Sequence, residues 1–72
     1  YRNGGRWLLL MEERSGRGVH LVGAHPAALG GVEGALAVSR PGVRSFAWGG
    51  RFVVNWQGLT DAEAGQVVGS LR

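Results

Sequence analysis

A chain of 72 residues has room for one domain, and its 44% apolar and 18% charged residues are typical of a folded chain rather than a disordered one. The absence of cysteine excludes disulfides, zinc–thiolate sites and thiol catalysis. Eight arginines without a lysine give a net charge of +3, a pattern that GC-rich coding explains as well as an anionic partner does.

The small size limits the stability that this domain can reach. A chain this short buries only about 60% of its unfolded surface, and small domains usually rely on disulfides, a metal or a partner subunit. Self-association is therefore the support that we expect. The longest apolar run, Trp7–Met11, has five residues, which predicts no membrane span and no secretory signal and favours a cytoplasmic protein. Because the first residue is not methionine, the chain is interpreted as a processed product or a fragment.

The first third of the chain is predicted to form two strands. Residues 1–5 are expected to be a flexible lead-in to a single domain that spans residues 1–72. Residues 6–13 are predicted to form a nearly continuous apolar strand that is buried on both faces at one end, although their Leu, Met and Glu residues also favour a helix. A glycine-rich turn at 14–18 leads to a short β-branched strand at 19–22, which would pair with the first.

A helix is predicted over residues 26–38. Leu29, Val32 and Leu36 follow the i, i+3, i+7 spacing of one helical face, and Pro26 suits a first helical turn. Each glycine inside this segment costs a helix about 1 kcal/mol relative to alanine, which implies close approach of its backbone to a neighbouring element.

The last third predicts a β-hairpin and a helix. Residues 43–48 and 51–57 flank Gly49-Gly50, a pair that supplies the positive φ angles of a two-residue turn. Thr60 and Glu63 form a capping box at the start of a C-terminal helix. The expected fold is α+β, a four-stranded and mainly antiparallel sheet in ββαββα order with both helices on one face.

A two-residue turn would place Trp48 opposite Arg51 and so divide the hairpin into two faces. One face would be small and apolar, a floor for the helices. The other would be open to solvent and would mix aromatic side chains with arginines. An exposed apolar patch of this kind usually marks an interface, and its predicted residues are Arg44, Phe46, Trp48, Arg51, Val53 and Asn55.

Three interpretations of that aromatic–arginine face stay open. A homodimer would bury it sheet against sheet, since aromatics and Arg are enriched in interfaces. Single-stranded RNA or DNA would stack its bases on Phe46 and Trp48 and place phosphates on Arg44 and Arg51. Alternatively, residues 6–22 cover this face, or the other face is the exposed one.

No catalytic, cofactor or metal site is predicted. His20 and His25 lack a third ligand at a suitable spacing, although Glu12 or Glu13 would come near His20 if the first two strands pair. The glycines of residues 29–34 lack the Lys-Ser/Thr of a phosphate-binding loop, and no serine has a His–Asp arrangement. The expected function is therefore a non-catalytic, self-associating interaction domain, with single-stranded nucleic-acid binding as the alternative.

Overall fold

The computed structural model describes residues 2–3 and 5–71, with side chains from residue 5 onward. Within these residues the chain forms strands and a single C-terminal helix in the following order: β1 (Arg2–Asn3), β2 (Arg6–Glu12), β3 (His25–Leu29), β4 (Val32–Arg40), β5 (Val43–Trp48), β6 (Phe52–Gln57) and α1 (Asp61–Leu71). No helix among them is long and apolar enough to cross a membrane. Of the predicted lead-in, Arg2–Asn3 forms β1, whereas residues 1 and 4 lie outside the described part of the chain.

The strands form one antiparallel sheet in the order β1-β2-β6-β5-β4-β3. Because β1 has only two residues, the sheet is in essence five-stranded. Consecutive strands β2 and β3 lie at opposite margins, so residues 13–24 must cross from one margin to the other. On the way, the Glu13 and Val19 amides donate to the carbonyl oxygens of Arg51 and Gly50, at 2.7 and 3.1 Å, beside the β5–β6 turn.

The predicted ββαββα order with two helices is therefore wrong. Residues 26–38 form most of the β3–β4 hairpin, with Gly30 and Gly31 as a two-residue turn at φ angles of 60° and 79°. The spacing that predicted a helix has another origin here. Residues that flank a two-residue turn are separated by three positions, so Leu29 and Val32 are a cross-strand pair.

The predicted strand at residues 19–22 is also wrong, because this segment is part of the irregular β2–β3 connection. The strand predicted over residues 6–13 is confirmed as β2, but its pairing partner differs. It pairs with β6, near the end of the chain, from Trp7–Gln57 to Glu12–Phe52.

The predicted β5–β6 hairpin is confirmed, but its register differs by one residue. Trp48 pairs with Phe52 and not with Arg51, so that the turn contains Gly49, Gly50 and Arg51. Because side chains alternate along a strand, this shift moves every β6 side chain to the face opposite the predicted one.

The hydrophobic core lies between α1 and one face of the sheet, here called the helix face. Phe46, Val54 and Trp56 are almost completely buried there, and Ala64 and Val68 of α1 pack against them. The predicted capping box is confirmed. The Thr60 amide donates to Glu63 Oε1 at 2.9 Å, and the Glu63 amide donates to Thr60 Oγ1 at 3.1 Å.

The tip of the β3–β4 hairpin touches α1 backbone to backbone. A Cβ atom at Gly65 would lie 3.0 Å from the amide nitrogen of Gly30, and one at Gly69 would lie 2.9 Å from the carbonyl oxygen of Gly30. Glycine is therefore required on both sides of this contact, which packs the helix against the hairpin tip. The second face of the sheet has no helix among the described residues.

Candidate interaction surface

The residues of the predicted aromatic–arginine face do not share a surface. Arg44, Phe46 and Trp48 lie on the helix face, where Phe46 is fully buried and its ring stacks with that of Trp48 at 5.8 Å between centroids. Val53 and Asn55 lie on the opposite face, and Arg51 lies in the β5–β6 turn.

The arginines near the predicted site are paired with carboxylates of the same chain. Arg44 Nη2 donates to Asp61 Oδ2 at 2.9 Å, and Arg44 Nε lies 2.8 Å from Asp61 Oδ1. Glu12 lies between two arginines, at 2.8 Å from Arg51 and 3.3 Å from Arg14. These ion pairs compensate much of the positive charge that a phosphate backbone would need.

The face of the sheet opposite α1, here called the open face because no described helix covers it, has an uncharged centre in which Ala37, Ser45 and Val53 are buried. Its central strands carry apolar, small or neutral polar side chains, and the charged residues that the register places on it, Glu33 and Arg40, lie at the two ends of β4. Depletion of charge is characteristic of the centre of protein–protein interfaces. The central residues of the open face are Trp7, Leu9, Met11, Ala35, Ala37, Val43, Ser45, Ala47, Val53, Asn55 and Gln57.

A neutral hydrogen-bond network lies in the middle of the open face. The Ser45 hydroxyl donates to Asn55 Oδ1 and lies 2.8 Å from the Ser39 hydroxyl. Trp7 Nε1 donates to Gln57 Oε1 at 2.8 Å. The polar groups named here are thus satisfied within the chain, which lowers the cost of covering this surface with another protein.

The β2–β3 connection reaches one end of the open face. Its half-buried Val19 and Leu21, together with Ala35 and Ala47 of the sheet, line a cavity of about 310 Å³. His20 and His25 line the same cavity. The described part of the chain contains no group of three or more His, Cys, Asp or Glu residues that is arranged to hold a metal ion.

Strand β2 carries the largest exposed apolar cluster on the sheet. Leu9, Leu10 and Met11 are 52%, 41% and 45% exposed. Leu9 and Met11 belong to the open face, whereas Leu10 points to the margin of the helix face. These three residues, here called the β2 patch, present apolar surface on both sides of one strand.

The β2 patch also lies at a margin of the sheet without a neighbouring strand. On its outer side β2 pairs only with β1, and this ladder covers Arg6 and Trp7 and ends before the patch in the described chain. Since Glu13 donates to Arg51, alternation of the ladder makes Met11 and Leu9 bond to β6. Leu10 and Glu12 therefore turn their backbone N–H and C=O groups outward.

The opposite margin of the sheet is protected. In the β3–β4 hairpin, the pair that flanks the turn bonds across it, so Ala27 and His25 bond to β4 and Pro26 and Ala28 face outward. Proline has no N–H, and proline on an edge strand opposes pairing with another chain. The two margins thus differ in the described chain, where the β2 margin combines exposed apolar side chains with the outward backbone groups of Leu10 and Glu12.

The apolar run that forms this surface is visible in the sequence, but its pattern predicts a buried strand rather than an exposed one. A continuous apolar run is typical of a strand that is covered on both faces, so Trp7–Met11 predicts burial on both faces at one end of the strand. In the structure only Leu8 of this run is buried.

Comparison with protein families, with curated proteins and with solved structures gave no match to this chain.

Proposed function

We propose that this chain is a non-catalytic interaction domain that self-associates as a homodimer through the β2 patch. The observation that carries the proposal is the exposure of Leu9, Leu10 and Met11 on the part of β2 that lies beyond its ladder with β1 in the described chain. An exposed apolar edge strand either aggregates or is covered by a partner. The neighbouring open face adds little to that surface, because Ala37, Ser45 and Val53 at its centre are already buried.

The distribution of charge favours a protein partner over nucleic acid. Binding to nucleic acid depends on cations that face the phosphates, whereas Arg44, Arg51 and Arg14 are paired with carboxylates outside the open face. Among the described residues, β2, β5 and β6 place no charged side chain on the open face. The aromatic rings of Phe46 and Trp48 lie on the helix face, so they cannot stack bases on the open face.

The size of the chain supports the same proposal. A domain of 72 residues without cysteine cannot gain stability from disulfides, and burial of the β2 patch by a second copy would supply apolar contact in their place.

A cytoplasmic location stays part of this proposal, and fractionation of the native cells with an antibody against the chain tests it.

Solution mass tests the proposal directly. Light scattering on a sizing column, with loading concentrations from roughly 5 to 200 µM (about sixfold either side of a Kd of about 30 µM), should give a dimer mass that dissociates on dilution. Leu9→Glu should raise the dimer Kd by roughly a hundredfold, because each copy loses about 1 kcal/mol of apolar burial and places a carboxylate in the interface. Leu9 is half exposed, so the fold itself should change by only about 0.5 kcal/mol.

Val38→Glu is the matched control. Val38 is 60% exposed on β4, and β5 and β6 separate that strand from β2. The control should keep the mass of the wild type. A wild type that is monomeric at every concentration would refute self-association, and salt-dependent binding of a single-stranded oligonucleotide by that monomer would support nucleic acid instead.

A further inference from the structure

We infer that two copies join edge to edge, with the β2 strands antiparallel and Met11 on the two-fold axis, so that their sheets become one continuous sheet. This inference rests on the proposed self-association and specifies its geometry. An antiparallel strand pair has two-fold symmetry, which lets one sequence pair with itself. The outward N–H and C=O groups of Leu10 and Glu12 supply the donors and acceptors.

Backbone alternation limits the pairing to a few registers. Outward-facing residues must oppose outward-facing residues, so that Leu10 can pair with Glu12, with Leu10 or with Leu8 of the second copy. A register centred on Leu9 would extend the second strand over Arg6 and Trp7, where β1 already lies. A register centred on Leu10 would place Glu12 of the second copy against Leu8, at the end of β1.

Charge removes a further register. Pairing centred on Glu12 would place two carboxylates directly opposite each other, which destabilises a strand pair. The register centred on Met11 instead places Leu10 opposite Glu12, whose carboxylate is already compensated by Arg14 and Arg51 of its own chain. It forms four backbone hydrogen bonds and brings the two Met11 side chains together as the closest cross-strand pair.

The expected interface is small. A standard protein–protein interface buries about 800 Å² on each partner, which would be about one sixth of the 4781 Å² surface of this chain. An edge pairing of a few residues buries less than that. The dimer should therefore have a Kd in the micromolar range and exchange rapidly.

Disulfide trapping tests the register, because the native sequence has no cysteine that would interfere. In the proposed pair the two Cα atoms of residue 11 lie about 4.5 Å apart, within the range that a disulfide spans. The two Cα atoms of residue 9 would lie about 14 Å apart, given a rise of about 3.4 Å per residue. Under mild oxidation Met11→Cys should give a covalent dimer, and the control Leu9→Cys should give at least tenfold less.

A proline substitution tests the hydrogen bonds. Leu10→Pro removes an N–H that points outward and takes no part in the ladder with β6, so the monomer should stay folded, as circular dichroism can verify. The dimer loses two of its four backbone hydrogen bonds, and its Kd should rise at least tenfold. If the wild type is a dimer that neither cross-links through Met11→Cys nor responds to Leu10→Pro, edge pairing is wrong while self-association stands. A monomeric wild type would remove both.

Discussion

The contact between the β3–β4 turn and α1 should make Gly30 harder to replace than the other glycines whose surroundings the structure describes. A Cβ atom at this position would collide with the carbonyl oxygen of Gly65 and would lie 2.8 Å from the amide nitrogen of Gly69. Both atoms belong to the helix backbone, so the helix itself would have to move. The φ angle of 60° adds a second cost, because a non-glycine residue in this region loses roughly 1–2 kcal/mol.

Together these effects set the expected magnitude for Gly30→Ala. Overpacking of a close contact usually costs about 1–3 kcal/mol, which added to the backbone cost gives roughly 2–5 kcal/mol. A domain of this length has a total stability of roughly 4–11 kcal/mol. Urea denaturation followed by tryptophan fluorescence should therefore show a large loss in the free energy of unfolding, and the variant should lose a major part of its folded population.

Gly50→Ala separates the two contributions. Gly50 has a similar φ angle of 75°, yet a Cβ atom there would meet nothing within 4 Å. This control should lose only the backbone cost of roughly 1–2 kcal/mol. Equal losses in the two variants would show that the helix does not rest on the turn, and the packing described here would be wrong.

Two further substitutions test the helix and the predicted site. Hydrogen bonds from Thr60 hold the pKa of Glu63 below its usual value of 4.5, so this carboxylate stabilises the fold above about pH 4.5 and loses that effect as the pH falls. The denaturation midpoint of Glu63→Gln should therefore decline less between about pH 5 and pH 3 than that of the wild type. An unchanged decline would contradict the capping box. Arg44→Met should cost less than about 1 kcal/mol in thermal melts, because the Arg44–Asp61 pair is partly exposed, and should leave the solution mass unchanged; a change in mass would return Arg44 to the interface.

Local chemistry was sufficient to predict the elements that depend on few residues. The capping box of α1 requires only Thr60 and Glu63, and both hydrogen bonds are present. Strand β2 and the β5–β6 hairpin were likewise predicted because their apolar runs and Gly49-Gly50 act over short distances. The pairing of β2 with β6 could not be predicted in this way, since it joins residues that are about fifty positions apart, as in the Trp7–Gln57 contact.

The dipeptide Gly-Gly occurs at both hairpin turns, but the residues around it predict a turn at only one of them, and this accounts for the missed β3–β4 hairpin. The strand-like residues that flank Gly49-Gly50 predict a turn there, whereas the helical spacing of Leu29, Val32 and Leu36 predicts a helix that contains Gly30-Gly31. A two-residue hairpin produces that spacing as well, so the apolar pattern could not decide between them. The glycines themselves favoured the turn, given that each costs a helix about 1 kcal/mol.

The length of the β5–β6 turn decides which face of the sheet each β6 side chain lies on, and this is why the residues of the predicted site lie on two different faces. With Arg51 in the strand, Val53 and Asn55 would share a face with Phe46 and Trp48; with Arg51 in the turn, they face the other way. Nothing in the residues near Gly49 distinguishes a two-residue turn from a three-residue one. The apolar surface expected of a small self-associating domain is nevertheless present, but β2 carries it, because the sheet ends there and α1 covers only the opposite face.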